Sequence, residues 1–537
     1  MDEKLKSSSR AVKIFCVICI AGISLFLSET KIIVSYAKRQ ADPVDSYFVI
    51  QMIIYVLVLT LVIAGCFYAF FDKNHRIKPE KAYLAAGLVM GFVYLLLIPI
   101  MAVPDEQTHM HSAYNISNTI MGTKGNSDTL MMRADDATHY YNATNLRRYD
   151  YNYEFRDAFS GVADRNMVDT GIAVMKGNTQ LYILPALGIT IGRLLGLSTT
   201  LVFLLGRIFN MAVFIVAVYF AVKRMPFAKG VVAVWALLPI TLQQTSSFSY
   251  DAPVFALSIT IISTALSMAY GEKKEKKKWI AELAVMIISC ILLLPCKGFA
   301  LFPVVAFPLI LIPKYIKNNQ EKVEAFKKKI RPWMKGVLTG VLVIFVCLAG
   351  FVVVKTVKRW LLPENINTNY ISWANHTGFT PGFFIKNPVK FFEIILNTIW
   401  LKSDVYFNQM FGGLLGWLDI KIPFVFTLGF LLILVYVALR KENEEQVIKN
   451  GERIWMILVF LGIICTAVGG MLFNWTPNNA DCIEGIQGRY FLPALVLSLI
   501  ALRTKKTGVS VNSDRYGMMW TIFLHVIVVT TVFRNIP

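Results

Sequence analysis

Residues 252–313 read APVFALSITIISTALSMAYGEKKEKKKWIAELAVMIISCILLLPCKGFALFPVVAFPLILIP. Apolar runs at 252–270, 279–296 and 299–313 are separated by a block holding five lysines and by the dipeptide Lys297-Gly298. A run of roughly 17–25 apolar residues, coiled as a helix, spans the hydrocarbon core of a bilayer. The pattern recurs along the chain. Runs near 11–29, 50–71, 82–103, 200–222, 230–247, 335–356, 423–440, 453–473, 486–503 and 518–534 join these three, making thirteen expected spans. The fold class this predicts is all-α, a polytopic transmembrane helical protein.

Composition agrees. Hydrophobic residues make up 56% of the 537 positions and charged residues 16%, with a mean hydropathy of +0.55. A soluble domain carries roughly a quarter charged residues. The first run follows Lys4, Lys6, Arg10 and Lys13 as a signal peptide would, but no A-x-A cleavage pattern follows, so a retained helix is expected.

The formal charge of +20 does not indicate nucleic acid, because the charge sits in short loops between apolar runs. Eight Lys or Arg fall within 314–335 alone. Basic loops mark the cytoplasmic side of a membrane. With the N-terminus inside, loops 72–81, 223–229, 271–278, 314–334, 441–452 and 504–517 are all basic and all cytoplasmic; loop 30–49, with Lys31, Lys38 and Arg39, is the exception. The C-terminus then lies outside. Three external segments are longer, at 104–199, 357–422 and 474–485. Within the first, 181–197 is apolar; if it spanned, every later basic loop would face outward, so an interfacial or re-entrant helix is expected there. Of the eight cysteines, only Cys16 and Cys19 have CxxC spacing, and they lie inside an apolar run where a zinc or redox role is not expected; Cys296 and Cys482 both fall near the outer face, which admits a disulfide between them.

This topology gathers the unusual polar residues on the external face. They are Pro104-Asp105-Glu106, Ser249-Tyr250-Asp251, Lys297, the stretch from Lys402 to Asp419, and Gln487-Gly488-Arg489-Tyr490. Each alone reads as a solvated or capping helix end; together they read as one site built from loops. Asp105 and Glu106 suit a helix N-terminus, by capping or as a general base. Either shares a helical face with His109. Asp105, Glu106 and His109 are also the candidate ligands for a divalent metal ion, although their spacing matches no HExxH-type motif. Arg489 reads as a snorkelling side chain or as a guanidinium fork for a phosphate, with Gly488 allowing close backbone approach and Lys297 as a second contact. Asp404, Asn408, Gln409, Trp417 and Asp419, with Tyr250, Asp251, Gln487 and Tyr490, are side chains able to bond or stack on a sugar.

The segments Pro-Asp-Glu-x-x-His at 104–109, Ser-Tyr-Asp at 249–251, Gly-Trp-Leu-Asp at 416–419 and Gln-Gly-Arg-Tyr-Phe-x-Pro at 487–493 resemble, in order and spacing, a bacterial family of predicted multi-pass membrane proteins known as domain of unknown function 2142. The resemblance covers roughly 82–505, leaving 1–81 as extra N-terminal helices and 506–537 as a C-terminal helix. That family is similar in turn to the GT-C membrane glycosyltransferases. The similarity implies a GT-C-like fold with short helices in the first external loop, in a bacterial plasma membrane. It implies a polyprenyl-phosphate-linked sugar as donor and a cell-envelope glycan or lipid as acceptor. Asp105 or Glu106 would be the base of an inverting transfer, and Arg489 with Lys297 would hold the donor phosphate. The acidic pair is Asp-Glu rather than Asp-x-Asp, which leaves the catalytic member and the metal open. No Rossmann GxGxxG or P-loop is present, in keeping with a lipid-linked donor. A flippase of lipid-linked saccharide and a non-catalytic envelope-assembly protein are the alternatives. Transporters tend to carry midplane charges and inverted repeats, and neither is apparent in the sequence.

Overall fold

The computed structural model describes residues 46–72, 76–123, 128–161, 164–174, 177–272, 274–318, 320, 370–439, 448–503 and 513–535. The expected spans 11–29 and 335–356 lie outside the described residues. The principal helices are α1 (Ser46–Cys66), α2 (Pro79–Leu97), α3 (Glu106–Met121), α4 (Ile183–Leu194), α5 (Thr199–Arg224), α6 (Lys229–Ala236), α7 (Pro239–Thr245), α8 (Asp251–Tyr270), α9 (Lys276–Leu293), α10 (Pro388–Met410), α11 (Phe424–Ala438), α12 (Asn450–Asn474), α13 (Leu492–Ala501) and α14 (Ser513–Asn535). Among the described residues, strands form three two-stranded antiparallel sheets. The longest pairs β1 (Thr129–Arg133) with β2 (Met167–Ala173).

Six helices among the described residues are long and apolar enough to cross a membrane: Val49–Phe71, α2, α5, α8, α12 and α14. Their outward side chains are apolar. Ile53, Val56 and Ile63 on α1, and Ile454, Ile457, Leu458 and Leu461 on α12, are exposed. Such rows are costly in water and expected in lipid.

Of the remaining expected spans, 279–296 is the unbroken α9 and 423–440 holds the shorter α11, whereas proline interrupts the other described ones. The run 230–247 is two helices, because Pro239 has no N–H and its ring excludes a continuing turn. The run 299–313 contains three prolines and forms short turns: Phe302–Ala306, Phe307–Ile310, and the start of Leu311–Asn318. The α13 helix begins only at Leu492, followed by Pro493, and α11 has 15 residues. The α4 helix has 12 residues, about 18 Å, too short to span, as the charge rule required. One segment departs the other way. The expected external loop 357–422 contains α10, a 23-residue helix of about 35 Å. It exposes Val389, Phe392, Leu396, Ile399 and Trp400, so one side of it meets lipid or its interface.

Irregular backbone deep in such a protein needs partners. The carbonyl of Leu237, at the α6–α7 break, accepts from His525 Nε2 at 2.7 Å, and His525 Nδ1 meets the Tyr94 hydroxyl at 3.1 Å. Asn210 donates to the carbonyls of Ser247 and Ser249 at 2.7 and 2.8 Å, closing the turn before α8. Trp235 Nε1 donates to the Leu492 carbonyl at the start of α13. These bonds make the buried α6–α7 pair the centre against which α8, α13 and α14 pack. A second core, with Met110, Tyr114, Leu130, Tyr182, Ile189, Phe203 and Phe248, roots the segment between α2 and α5 on α5.

Candidate active site at the Asp105–Arg489 cluster

After α2 the chain turns twice, with Met101 and Asp105 both at φ 63°. Asp is among the few non-glycine residues that tolerate this left-handed conformation, which still costs of order 1 kcal/mol and gathers at functional sites. Asp105 is the residue before α3, yet its side chain makes no capping bond. Its backbone carbonyl accepts from His109 N, and its carboxylate is left to reach Arg489 Nη2 at 2.6 Å. The Asp105 side chain is 56% exposed and that of Arg489 5%. A buried guanidinium thus holds an open carboxylate.

Arg489 is placed by α10. Gln409 Oε1 accepts from Gly488 N at 2.8 Å, and a Cβ at Gly488 would sit 2.2 Å from the Tyr406 carbonyl oxygen. Gly488 therefore allows close approach to a helix end, not to a ligand as expected. Arg489 Nη1 donates to Gln244 Oε1 at 2.9 Å and faces the Pro104 carbonyl at 3.5 Å. Its Nε lies 3.5 Å from Asp251 Oδ2. Lys297, at φ 51° between two turns, donates to Asp251 Oδ1 at 2.7 Å. Its ammonium lies over the rings of Tyr250 and Tyr490, 5.0 and 4.6 Å from the centroids. Asp251, like Asp105, pairs with cations instead of capping its helix.

His109 completes the wall. Its Nδ1 meets the Tyr182 hydroxyl at 2.9 Å, and its ring is edge-on to Tyr250 at 4.4 Å. Burial pushes its pKa down to about 4, so it is neutral at physiological pH. Asp105, His109, Tyr250, Asp251, Lys297, Arg489 and Tyr490 therefore meet, from four separated stretches of chain. Buried polar atoms on Arg489 and its neighbours lack a hydrogen-bond partner among the described residues: Arg489 Nε, Gln244 Nε2 and Gln487 Oε1; Asn408 Oδ1, also without one, lies instead beside Gly413. Such atoms suit a site that takes a polar ligand or water.

Other expected site residues fall elsewhere. Glu106, the alternative base, turns away from Asp105 into the interior. It is fully buried and receives Arg207 Nε and Nη2, both at 2.7 Å, and Phe248 N at 3.1 Å. Consecutive residues at a helix start point in different directions, so the acidic pair divides between an open and a structural carboxylate. Arg207 also donates to the carbonyls of Ile98 and Pro99, which end α2. It lies eight residues into α5, about 12 Å, and corrects the expectation that no charge lies deep in a span. A lone arginine in an apolar run was the available signal. Glu154, near this pair, is pushed up to about 7 by burial and accepts from Ile100 N at 2.6 Å.

Asp404 is exposed and binds the adjacent Val405 N. Trp417 and Asp419 form a knot with the first external segment: Tyr149 donates to Asp419 at 2.5 Å and accepts from Trp417 N, and Arg148 stacks on Trp417. Cys296 and Cys482 are free thiols, so the disulfide does not form. The candidate metal ligands do not converge, since Glu106 is committed to Arg207, and no three His, Cys, Asp or Glu side chains among the described residues gather as a ligand set.

Residues 88–498 match the family described as Predicted membrane protein (DUF2142). The chain belongs to that family. The DUF2142 match takes in all four motif segments, with Asp105, Asp251 and Arg489, and also Lys297 between them, and excludes α1 and α14. No curated protein and no solved structure matches the chain.

Proposed function

We propose that this DUF2142 protein is a membrane glycosyltransferase of GT-C type, moving a sugar from a polyprenyl-phosphate donor to a cell-envelope acceptor on the outer face of a bacterial plasma membrane. The observation that carries the reading is the charge asymmetry of the cluster. Two carboxylates and two cations converge; Asp251 is buried between both cations, while Asp105 meets only Arg489 and opens to solvent.

Asp105 is the proposed base. The acceptor hydroxyl oxygen bonds to the anomeric carbon as the bond from that carbon to the phosphate oxygen breaks. The hydroxyl proton passes to an Asp105 carboxylate oxygen, and the bonding electrons leave with polyprenyl phosphate. A carboxylate is a weak base toward an alcohol, so the proton moves late, as charge builds on the attacking oxygen. Lys297 gives one of its three donors to Asp251 and has others for the leaving phosphate. Arg489 is a positioning residue that aims Asp105. Neutral His109, Tyr182 and Tyr250 form a wall able to bond sugar hydroxyls. The apolar side of α10, whose last turn sets Gly488, suits a lipid tail approaching from the bilayer.

A flippase reading would use the broken α6–α7 helix, a transporter feature. Its free carbonyl is held by His525 rather than facing a cavity, which favours the enzyme. The test is Asp105→Asn, assayed in membranes with a polyprenyl-phosphate sugar. It should fold like the parent and lose on the order of 10²-fold or more of the transfer rate. Full transfer by that variant would end the assignment.

A further inference from the structure

From the surface of the loops we infer a second site, a platform for a neutral glycan built by Trp373 and Trp475. Their indoles stack with centroids 6.0 Å apart and planes 26° apart, and they remain 51% and 45% exposed. They come from segments about a hundred residues apart. The hairpin Tyr370–Ile371/His376–Thr377 is zipped to the loop after α12 by the Gly378–Pro477 bridge, by Asn478 N to the Thr377 carbonyl at 2.8 Å, and by Asn478 Nδ2 to Thr377 Oγ1 at 2.9 Å. The arrangement is thus held by backbone pairing and not by the rings alone.

The two indoles direct their pyrrole edges at the protein in different ways. Trp373 Nε1 donates to the Trp475 carbonyl at 3.0 Å. The pyrrole edge of Trp475 lies against Gly485, at φ 79°, where a Cβ would come within 2.3 Å of the ring. A tryptophan anchoring a protein at a bilayer interface keeps its polar edge for water and headgroups. Here the Trp373 N–H is taken by a backbone carbonyl and the Trp475 pyrrole edge lies against Gly485, while both indoles stay about half exposed. Around the rings stand the exposed amides of Asn375, Asn474, Asn478 and Asn479. Residues 370–380 and 474–480 contain no Lys, Arg, Asp or Glu, in a chain of net charge +20. The nearest charges in the Trp475 loop, Asp481 and Glu484, are acidic, and Glu484 N is tied to Thr476 Oγ1 at 3.1 Å. Apolar C–H faces of a pyranose stack on such rings and its hydroxyls bond amides; two stretches without a cation, beside two acidic residues, select a neutral saccharide over a phosphate or an acidic peptide. The loop carrying Trp475 continues to Arg489 and is tied to α10 by Ile483 N to Thr398 Oγ1 at 2.8 Å. As a seat for the acceptor glycan, the platform rests on the glycosyl-transfer reading; as a glycan-binding surface it stands apart from it.

The experiment titrates the full chain in nanodiscs with maltohexaose, cellohexaose and chitohexaose, read by saturation-transfer NMR. At least one should bind to the parent and to Asp105→Asn alike, and binding should weaken tenfold or more in Trp373→Ala and Trp475→Ala with unchanged unfolding midpoints. Trp373→Phe, which keeps a ring face, should retain part of it. No binding of any of the three to the parent, equal binding by the alanine variants, or quenching of these two tryptophans by brominated phospholipid would overturn the platform. Transfer activity in Asp105→Asn would instead remove the enzymatic reading and leave the platform standing.

Discussion

Replacing Glu106 by alanine should unfold the protein more readily, whereas Asp105→Asn, one residue away, should not. Glu106 accepts three hydrogen bonds, two from a fully buried Arg207 and one from Phe248 N. Removing it leaves a guanidinium with only the Ile98 and Pro99 carbonyls and strands a buried N–H. Breaking a buried pair from one side costs about 3–5 kcal/mol, because the remaining charge is uncompensated. The orphaned N–H pushes toward the upper end of that range. The double variant Glu106→Met/Arg207→Met removes both charges and should recover the part of the loss due to the uncompensated charge, but not the part due to Phe248 N and the Ile98 and Pro99 carbonyls, which it leaves unpaired. Thermal unfolding of the parent, Glu106→Met, Arg207→Met and the double variant in one detergent, followed by tryptophan fluorescence, gives the cycle. Parent-like stability of Glu106→Ala, or a double variant as weak as the single ones, would refute the division of roles between the two carboxylates.

Gly488→Ala should lower transfer far more than the unfolding midpoint, because the added methyl meets the Tyr406 carbonyl and shifts Arg489; activity and unfolding measured side by side check this. Lys297→Ala should raise the KM for the lipid-linked donor more than it lowers kcat, as removal of a phosphate contact made in ground and transition states does. The His109 pKa of about 4 lies below its ordinary 6.5, so between those values the unfolded chain binds more protons. Stability tied to neutral His109 is complete above about pH 6.5 and is lost as pH falls toward 4, by up to about 3 kcal/mol. His109→Gln should flatten that part of the unfolding-versus-pH curve.

Much of this was legible in the residues themselves. The bilayer demands long apolar runs and the loops carry their charge bias openly, so the helical membrane class followed from local composition. The cluster was legible too, because Asp105, Asp251, Lys297 and Arg489 are charges at span ends on one face. Hydropathy alone could not foresee which runs stay whole. Runs 230–247 and 299–313 are as apolar as their neighbours, but their prolines break the helix ladder, and only distant partners such as His525 make the break tolerable. Nor could sequence separate Asp105 from Glu106. They are adjacent, equal in charge and equally fit to start a helix. Direction decided between them: a left-handed turn at Asp105 aims one carboxylate at Arg489 and the surface, while the first turn of α3 aims the other at Arg207. Composition and period are properties of a segment, and they determined the class of the protein and which charges stand at span ends. Pairing between residues 384 positions apart depends on how the segments pack, so it was decided only by the tertiary structure.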